Sequence, residues 1–223
     1  MHLSTFLPTL FLMITTTVHA TIQGLTISHY QSTVNFTEAH FMGLKYIYIK
    51  ATEGITYIDP KFSSHWADST NASLYRGAYH LARPSASSGA AQASWFIAHG
   101  GGWKNDNMTL PGLLELPTDC VGSKPAELVS WITEFSNEYK KATGRFPVLY
   151  TWNTWWVECA GNTKKFRDNS PLMLANWREA PGMLPGGWDY WTFWQYLDES
   201  AWGGESNLFH GDAEQLAKLV VGA

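Results

Sequence analysis

The residue best placed for acid–base chemistry is Glu115, held in Pro111-Gly112-Leu113-Leu114-Glu115-Leu116-Pro117. Leucines bounded by proline-bearing turns read as a short buried strand that delivers the carboxylate to its C-terminal end. In an extended chain residues 115 and 117 share a face, so glutamate at both would pair two carboxylates. Pro117 fills the second place without an ionisable group or an N–H, so this strand supplies half of such a pair. Asp119, next to Cys120, either bends inward to restore the pair or is a solvated turn former, the commoner role of a loop aspartate. Glu53 either lines a cleft or holds loop amides.

Aromatic residues make up 15% of the 223-residue chain, with 12 Trp, and such rings stack on sugar faces as well as filling cores. The candidates for ligand contact sit at or near predicted strand ends: Tyr79, Tyr150, Trp177, Trp194 and Tyr196, with His29, His80, Asn176 and Gln195 as polar companions. Alternation places Trp194 and Tyr196 on one face and Gln195 on the other, so not all of them reach a ligand. Tyr79, Tyr150 and Trp194 are the preferred contacts. Trp152-Asn153-Thr154-Trp155-Trp156 is an exposed-looking cluster, either a cleft wall or a partner surface.

The elements that must position these residues alternate. Strands are expected at 25–28, 45–50, 74–81, 113–116, 146–151, 171–176, 192–196 and 206–209, from β-branched and aromatic runs. Helices are expected at 35–42, 60–73 capped by Asp59, 87–99, 123–143 capped by Ser123 and stopped by Gly144, and 212–221. The pattern predicts an α/β barrel whose first five units are β/α and whose last three are mostly β, with the binding face where the strands end.

Residues 1–20 lack charge, carry an apolar run at 6–14 and end Val18-His19-Ala20, which predicts a signal peptide before a single domain at 21–223. That run is too short for the roughly 20 residues of a membrane span. Sequons at Asn35, Asn71 and Asn107 fit passage through a secretory route. Cys120 and Cys159 are then a disulfide or two separate buried thiols. A net charge of −4 with no basic run argues against nucleic acid, and scattered histidines without C-x-x-C argue against a metal. A monomer is expected.

Ser28-His29-Tyr30-Gln31, Tyr48-Ile49-Lys50-Ala51-Thr52-Glu53-Gly54, Arg76-Gly77-Ala78-Tyr79-His80 with Ala82-Arg83-Pro84, Gly89 to Gly102, Thr143-Gly144-Arg145 and Phe193-Trp194-Gln195-Tyr196 together resemble the lysozymes of glycoside hydrolase family 25. The resemblance runs over about residues 24–220. It implies a secreted, TIM-like (β/α)5(β)3 barrel that cleaves the β-1,4 bond after N-acetylmuramic acid in peptidoglycan, with no cofactor. The family pattern Gly-hydrophobic-Asp-x-Ser meets Gly24-Leu25-Thr26-Ile27-Ser28 here, placing Thr26 at an expected aspartate. Its Asp-x-Glu places Glu115 at the aspartate and Pro117 at the proton donor, and the aspartate before Asn207-Leu208-Phe209 becomes Glu205.

Thr26 cannot oppose the positive charge of an oxocarbenium-like transition state, and loss of a general acid costs about two to four orders of magnitude. The resemblance therefore implies a protein that binds peptidoglycan or a related aminoglycan with hydrolysis weak or lost, a pseudoenzyme. The alternatives are an active muramidase using Glu115 with Glu205 or Asp119, and a secreted protein-interaction module with no glycan ligand.

Overall fold

The computed structural model describes residues 21–222; the expected signal peptide, 1–20, lies outside them. Nine strands form one sheet: β1 (Thr21–Ile27), β2 (Tyr46–Glu53), β3 (Tyr57–Ile58), β4 (Tyr75–Leu81), β5 (Leu113–Glu115), β6 (Val148–Trp152), β7 (Leu172–Ala175), β8 (Phe193–Leu197) and β9 (Glu205–His210). The sheet closes through a parallel β1–β2 pair, and β3 is a hairpin strand appended to β2. The eight barrel strands are parallel except β9, which runs antiparallel to both β8 and β1. Helices α1 (Phe36–Phe41), α2 (Phe62–Asn71), α3 (Gly89–Phe96), α4 (Pro125–Thr143) and α5 (Asn153–Cys159) follow the first five barrel strands, and none lies between β7, β8 and β9. This is the (β/α)5(β)3 arrangement expected.

Strand alternation divides the core into two layers. From β2, Tyr46 and Tyr48 point into the barrel with Phe193 and Phe209, while Ile47, Ile49 and Ala51 face the helices with Phe96, Phe135 and Trp156. The large interior rings fit because glycine lies opposite: a Cβ on Gly24 would come within 2.1 Å of the Tyr46 ring. Helix α6 (Ala213–Val221) packs Leu216 and Val220 into the interior layer at the N-terminal end of the strands. The opposite end, where the parallel strands finish and β9 begins, is left for a site.

Some local expectations shift. Helix α2 begins after Lys61, and Asp59 instead accepts from the Lys61 amide at 2.9 Å and the His29 amide at 3.0 Å. Helix α4 is entered through Lys124 rather than Ser123; Glu127 Oε2 accepts from the Lys124 amide at 2.9 Å. Gly144 ends it at φ 79°, the left-handed cap that glycine adopts without cost. The Trp152–Trp156 cluster is not a surface patch: Trp155 and Trp156 lie on α5 and are buried. Their indole N–H groups donate to Asp119 O and Thr163 O, both at 3.0 Å, which makes that burial tolerable.

Cys120 and Cys159 are joined in a disulfide that ties the loop after β5 to the end of α5. All three sequon asparagines, Asn35, Asn71 and Asn107, are exposed. Among the described residues no helix is long and apolar enough to cross a membrane.

Candidate active site

A cleft of about 200 Å³ opens at the C-terminal end of the barrel strands, lined by Thr26, Tyr79, Glu115, Tyr150, Gln195 and Glu205, with Trp152 and Trp177 at its wall. A larger hollow of about 490 Å³, lined by Gln23, Tyr196 and Trp202, contains neither of the two cleft carboxylates. Each inward residue is delivered by strand period. On β6, Tyr150 and Trp152 share a face; on β8, Phe193 fills the interior and carries Gln195 to the cleft two residues later.

Burial pushes the Glu115 carboxyl up to about 7; the Glu205 charge adds to this and Lys50 opposes it. Burial also raises Glu205 to about 7, against the pull of its own backbone amide and with a push from Asp198. Two carboxyls in one cleft with raised affinity for protons titrate as a pair and hold a proton near neutrality. The Tyr79 and Tyr150 phenols are raised by burial and by both glutamates, so they remain neutral hydroxyls at the cleft.

Thr26 stands directly opposite Glu205 across the antiparallel β1–β9 pair. Its Oγ1 accepts from Asn207 Nδ2 at 2.8 Å. The Glu205 carbonyl, 3.3 Å from the same nitrogen, fixes that amide's orientation, so the Thr26 proton is free to be donated elsewhere. Beside the cleft, burial favours a neutral Glu53, but hydrogen bonds from Lys50 at 2.7 Å and Arg83 Nε at 2.7 Å outweigh it and hold Glu53 below the ordinary carboxylate range. Glu53 thus holds side chains and is not among the residues lining the cleft.

The deciding observation is a match along most of the barrel to one family. The signature of the glycosyl hydrolases family 25 matches residues 25–205. This chain belongs to that family. It is 47% identical to an N,O-diacetylmuramidase of Chalaropsis sp over 211 residues, 91% of this chain and all of that protein. Lysozyme M1 of Streptomyces globisporus is 40% identical, over 89% of this chain and 71% of its own. Among solved structures, the muramidase from Trichobolus zukalii superposes with a TM-score of 0.90 at 47% identity, covering 91% of this chain and 100% of that one.

Against the family 25 pattern, Thr26 and Glu205 lie in the cleft and Pro117 is buried just beyond β5, leaving Glu115 as the one carboxylate of that strand. Asp119 is not among the residues lining the cleft: it is exposed, and its Oδ1 accepts from the Val121 amide at 2.7 Å as a turn former. Tyr79, Tyr150 and Trp177 line the cleft. Trp194 does not; it is buried on the opposite face of β8, its Nε1 donating to Asn176 O at 2.8 Å and its ring packed on Trp191 and Tyr196. The reason is that Phe193 fills the barrel interior, which turns Trp194 outward.

Asn176 is a loop clasp rather than a cleft residue, with Nδ2 donating to the Ala180 and Pro181 carbonyls, each at 3.0 Å. His29 is likewise engaged, its Nδ1 2.9 Å from Asp59 Oδ2 and 3.0 Å from the Tyr57 hydroxyl. His80 is buried outside the cleft between Thr52 and Gln92. Trp152 takes the cleft-wall alternative read for the 152–156 cluster, two residues on from Tyr150 along β6. Among the described residues no cluster of His, Cys, Asp or Glu could hold a metal ion.

Proposed function

We propose that this family 25 chain hydrolyses the β-1,4-linked glycan of bacterial peptidoglycan as an N-acetylmuramidase, with Glu115 as proton donor and Glu205 as its charged partner. The observation that carries the reading is the convergence of these two carboxyls on one aromatic-walled cleft, each pushed up to about 7. A carboxyl that stays protonated near neutrality can protonate a leaving glycosidic oxygen. In the reaction the Glu115 proton passes to that oxygen as the bond to the sugar carbon breaks. The Glu205 carboxylate opposes the positive charge that develops on the ring, and water adds to the sugar carbon as its proton returns to the Glu115 carboxylate. Tyr79 and Tyr150 supply hydroxyls, and Trp152 and Trp177 supply ring faces to the sugars. The muramidase names of the related proteins point the same way. The reading includes an extracellular glycoprotein, supported by the closed disulfide and the exposed sequons, that acts as a monomer.

A second reading, glycan binding with little turnover, is favoured by one specific feature: Thr26 and Pro117 are neutral where family 25 carries acids. The two readings separate on reducing-end release from purified peptidoglycan, with fragments identified by mass spectrometry, beside a Thr26→Asp, Glu115→Asp, Pro117→Glu variant. Muramyl-terminated fragments from the natural protein support the muramidase. Fragments from the variant alone support binding without turnover, and silence from both rejects hydrolysis at this cleft.

A further inference from the structure

Gln195 is buried, with 2% of its surface exposed, and it lines the cleft between Tyr150 and Glu205. Its Oε1 accepts two bonds, from the Tyr150 hydroxyl at 2.7 Å and from Trp177 Nε1 at 3.0 Å. An indole N–H can only donate, so the atom facing Trp177 must be the carbonyl oxygen and the amide cannot flip. Tyr150, whose phenol burial keeps neutral, has a proton to give to the same oxygen. The amide nitrogen is therefore turned away from both rings. No hydrogen bond within the described residues engages it, and it is not among the enclosed polar atoms, so it opens on the cleft.

We infer that Gln195 is a specificity-determining residue whose amide N–H donates to the carbonyl oxygen of a sugar 2-acetamido group; this rests on the proposed glycan-cleaving function. The chemistry favours that acceptor over a hydroxyl. A sugar hydroxyl both donates and accepts and finds partners in Glu115, Glu205, Tyr79 and water, whereas an amide carbonyl only accepts and needs a dedicated donor. Binding excludes solvent from this N–H, so a glycan lacking the acetyl group leaves it without a partner and is discriminated against. Trp177 and Tyr150 act through Gln195 as positioning residues for this donor, in addition to any contact they make with the sugar.

The test is isothermal titration of a soluble tetrasaccharide of alternating N-acetylglucosamine and N-acetylmuramic acid, and of its de-N-acetylated counterpart, against the natural protein, Gln195→Glu and Gln195→Met. Gln195→Glu keeps an acceptor for Tyr150 and Trp177 but turns an oxygen toward the ligand; Gln195→Met has no donor at any pH. The natural protein should favour the acetylated chain. Both variants should narrow the ratio of the two affinities by about tenfold, the worth of one neutral hydrogen bond. Variants that keep the natural preference, or that lose both ligands equally, overturn the inference while leaving the muramidase reading intact. A natural protein that binds neither tetrasaccharide nor insoluble peptidoglycan overturns the proposed function and the inference with it. Thermal melting of each variant establishes that it is folded.

Discussion

Replacing Glu115 by glutamine should make the protein more stable above neutral pH while removing its activity. The carboxyl is raised from an ordinary 4.5 to about 7, chiefly by burial, so the folded state binds a proton there more tightly than the unfolded state does. Its contribution is fully present below about pH 4.5 and is lost as the pH rises through about 7, where folding must ionise a buried group. At 1.36 kcal/mol per pKa unit, the loss is about 3 kcal/mol by pH 8. Glutamine has no such proton to lose. Urea unfolding of both proteins at pH 4.5 and pH 8 should therefore show similar stability at the lower pH and an advantage of about 3 kcal/mol for Glu115→Gln at the higher, with unchanged m. In a thermal melt at pH 8 this is about 6–12 °C. A stability difference that does not change with pH, or a glutamine variant that is the weaker protein at pH 8, refutes the assignment of Glu115 as a proton-holding carboxyl.

Activity that depends on protonated Glu115 should show a basic limb near pH 7 and fall about tenfold per pH unit above it, read from kcat/KM on soluble peptidoglycan fragments. Removing the Cys120–Cys159 bridge with a double serine variant should cost about 4 kcal/mol on the chain-entropy account of a 39-residue separation, measured by denaturant unfolding. Tyr139→Phe strips a buried hydroxyl that accepts from the Gly112 and Trp103 amides and donates to the Gly101 carbonyl. It should cost about 3 kcal/mol in the same measurement. Because Gly112 leads into β5, that variant should also lower turnover at Glu115, in proportion to the shift of that strand.

The barrel is legible in the sequence because its information is local and periodic. Tyr46 and Tyr48 alternate with Ile47 and Ile49 on β2, and the two sets separate into the interior and the helix-facing layer. The same period puts Trp194 and Gln195 on opposite faces but does not say which face is inward. That depends on Phe193 meeting Tyr46 and Tyr48 inside the barrel, a packing event between distant strands. Glu115 was legible from its strand, and Glu205 only through the family pattern. What escaped was set by long-range partners. Thr26 is held by Asn207, 181 residues away, and Asp59 is drawn from a helix cap to His29. Helix α5 was hidden because Trp152, Trp155 and Trp156 carry strand and surface signals, whereas their tertiary partners bury two of them in a helix.

The most direct measurement compares initial rates of muramyl reducing-end release from purified peptidoglycan at pH 7 for the natural protein, Glu115→Gln and Glu205→Gln. The account predicts measurable release by the natural protein, with Glu115→Gln reducing it at least about a hundredfold and Glu205→Gln also lowering it, all three proteins being folded. Release that survives Glu115→Gln unchanged, or no release by the natural protein at any protein concentration, contradicts the claim that this carboxyl serves as the proton donor of a working muramidase.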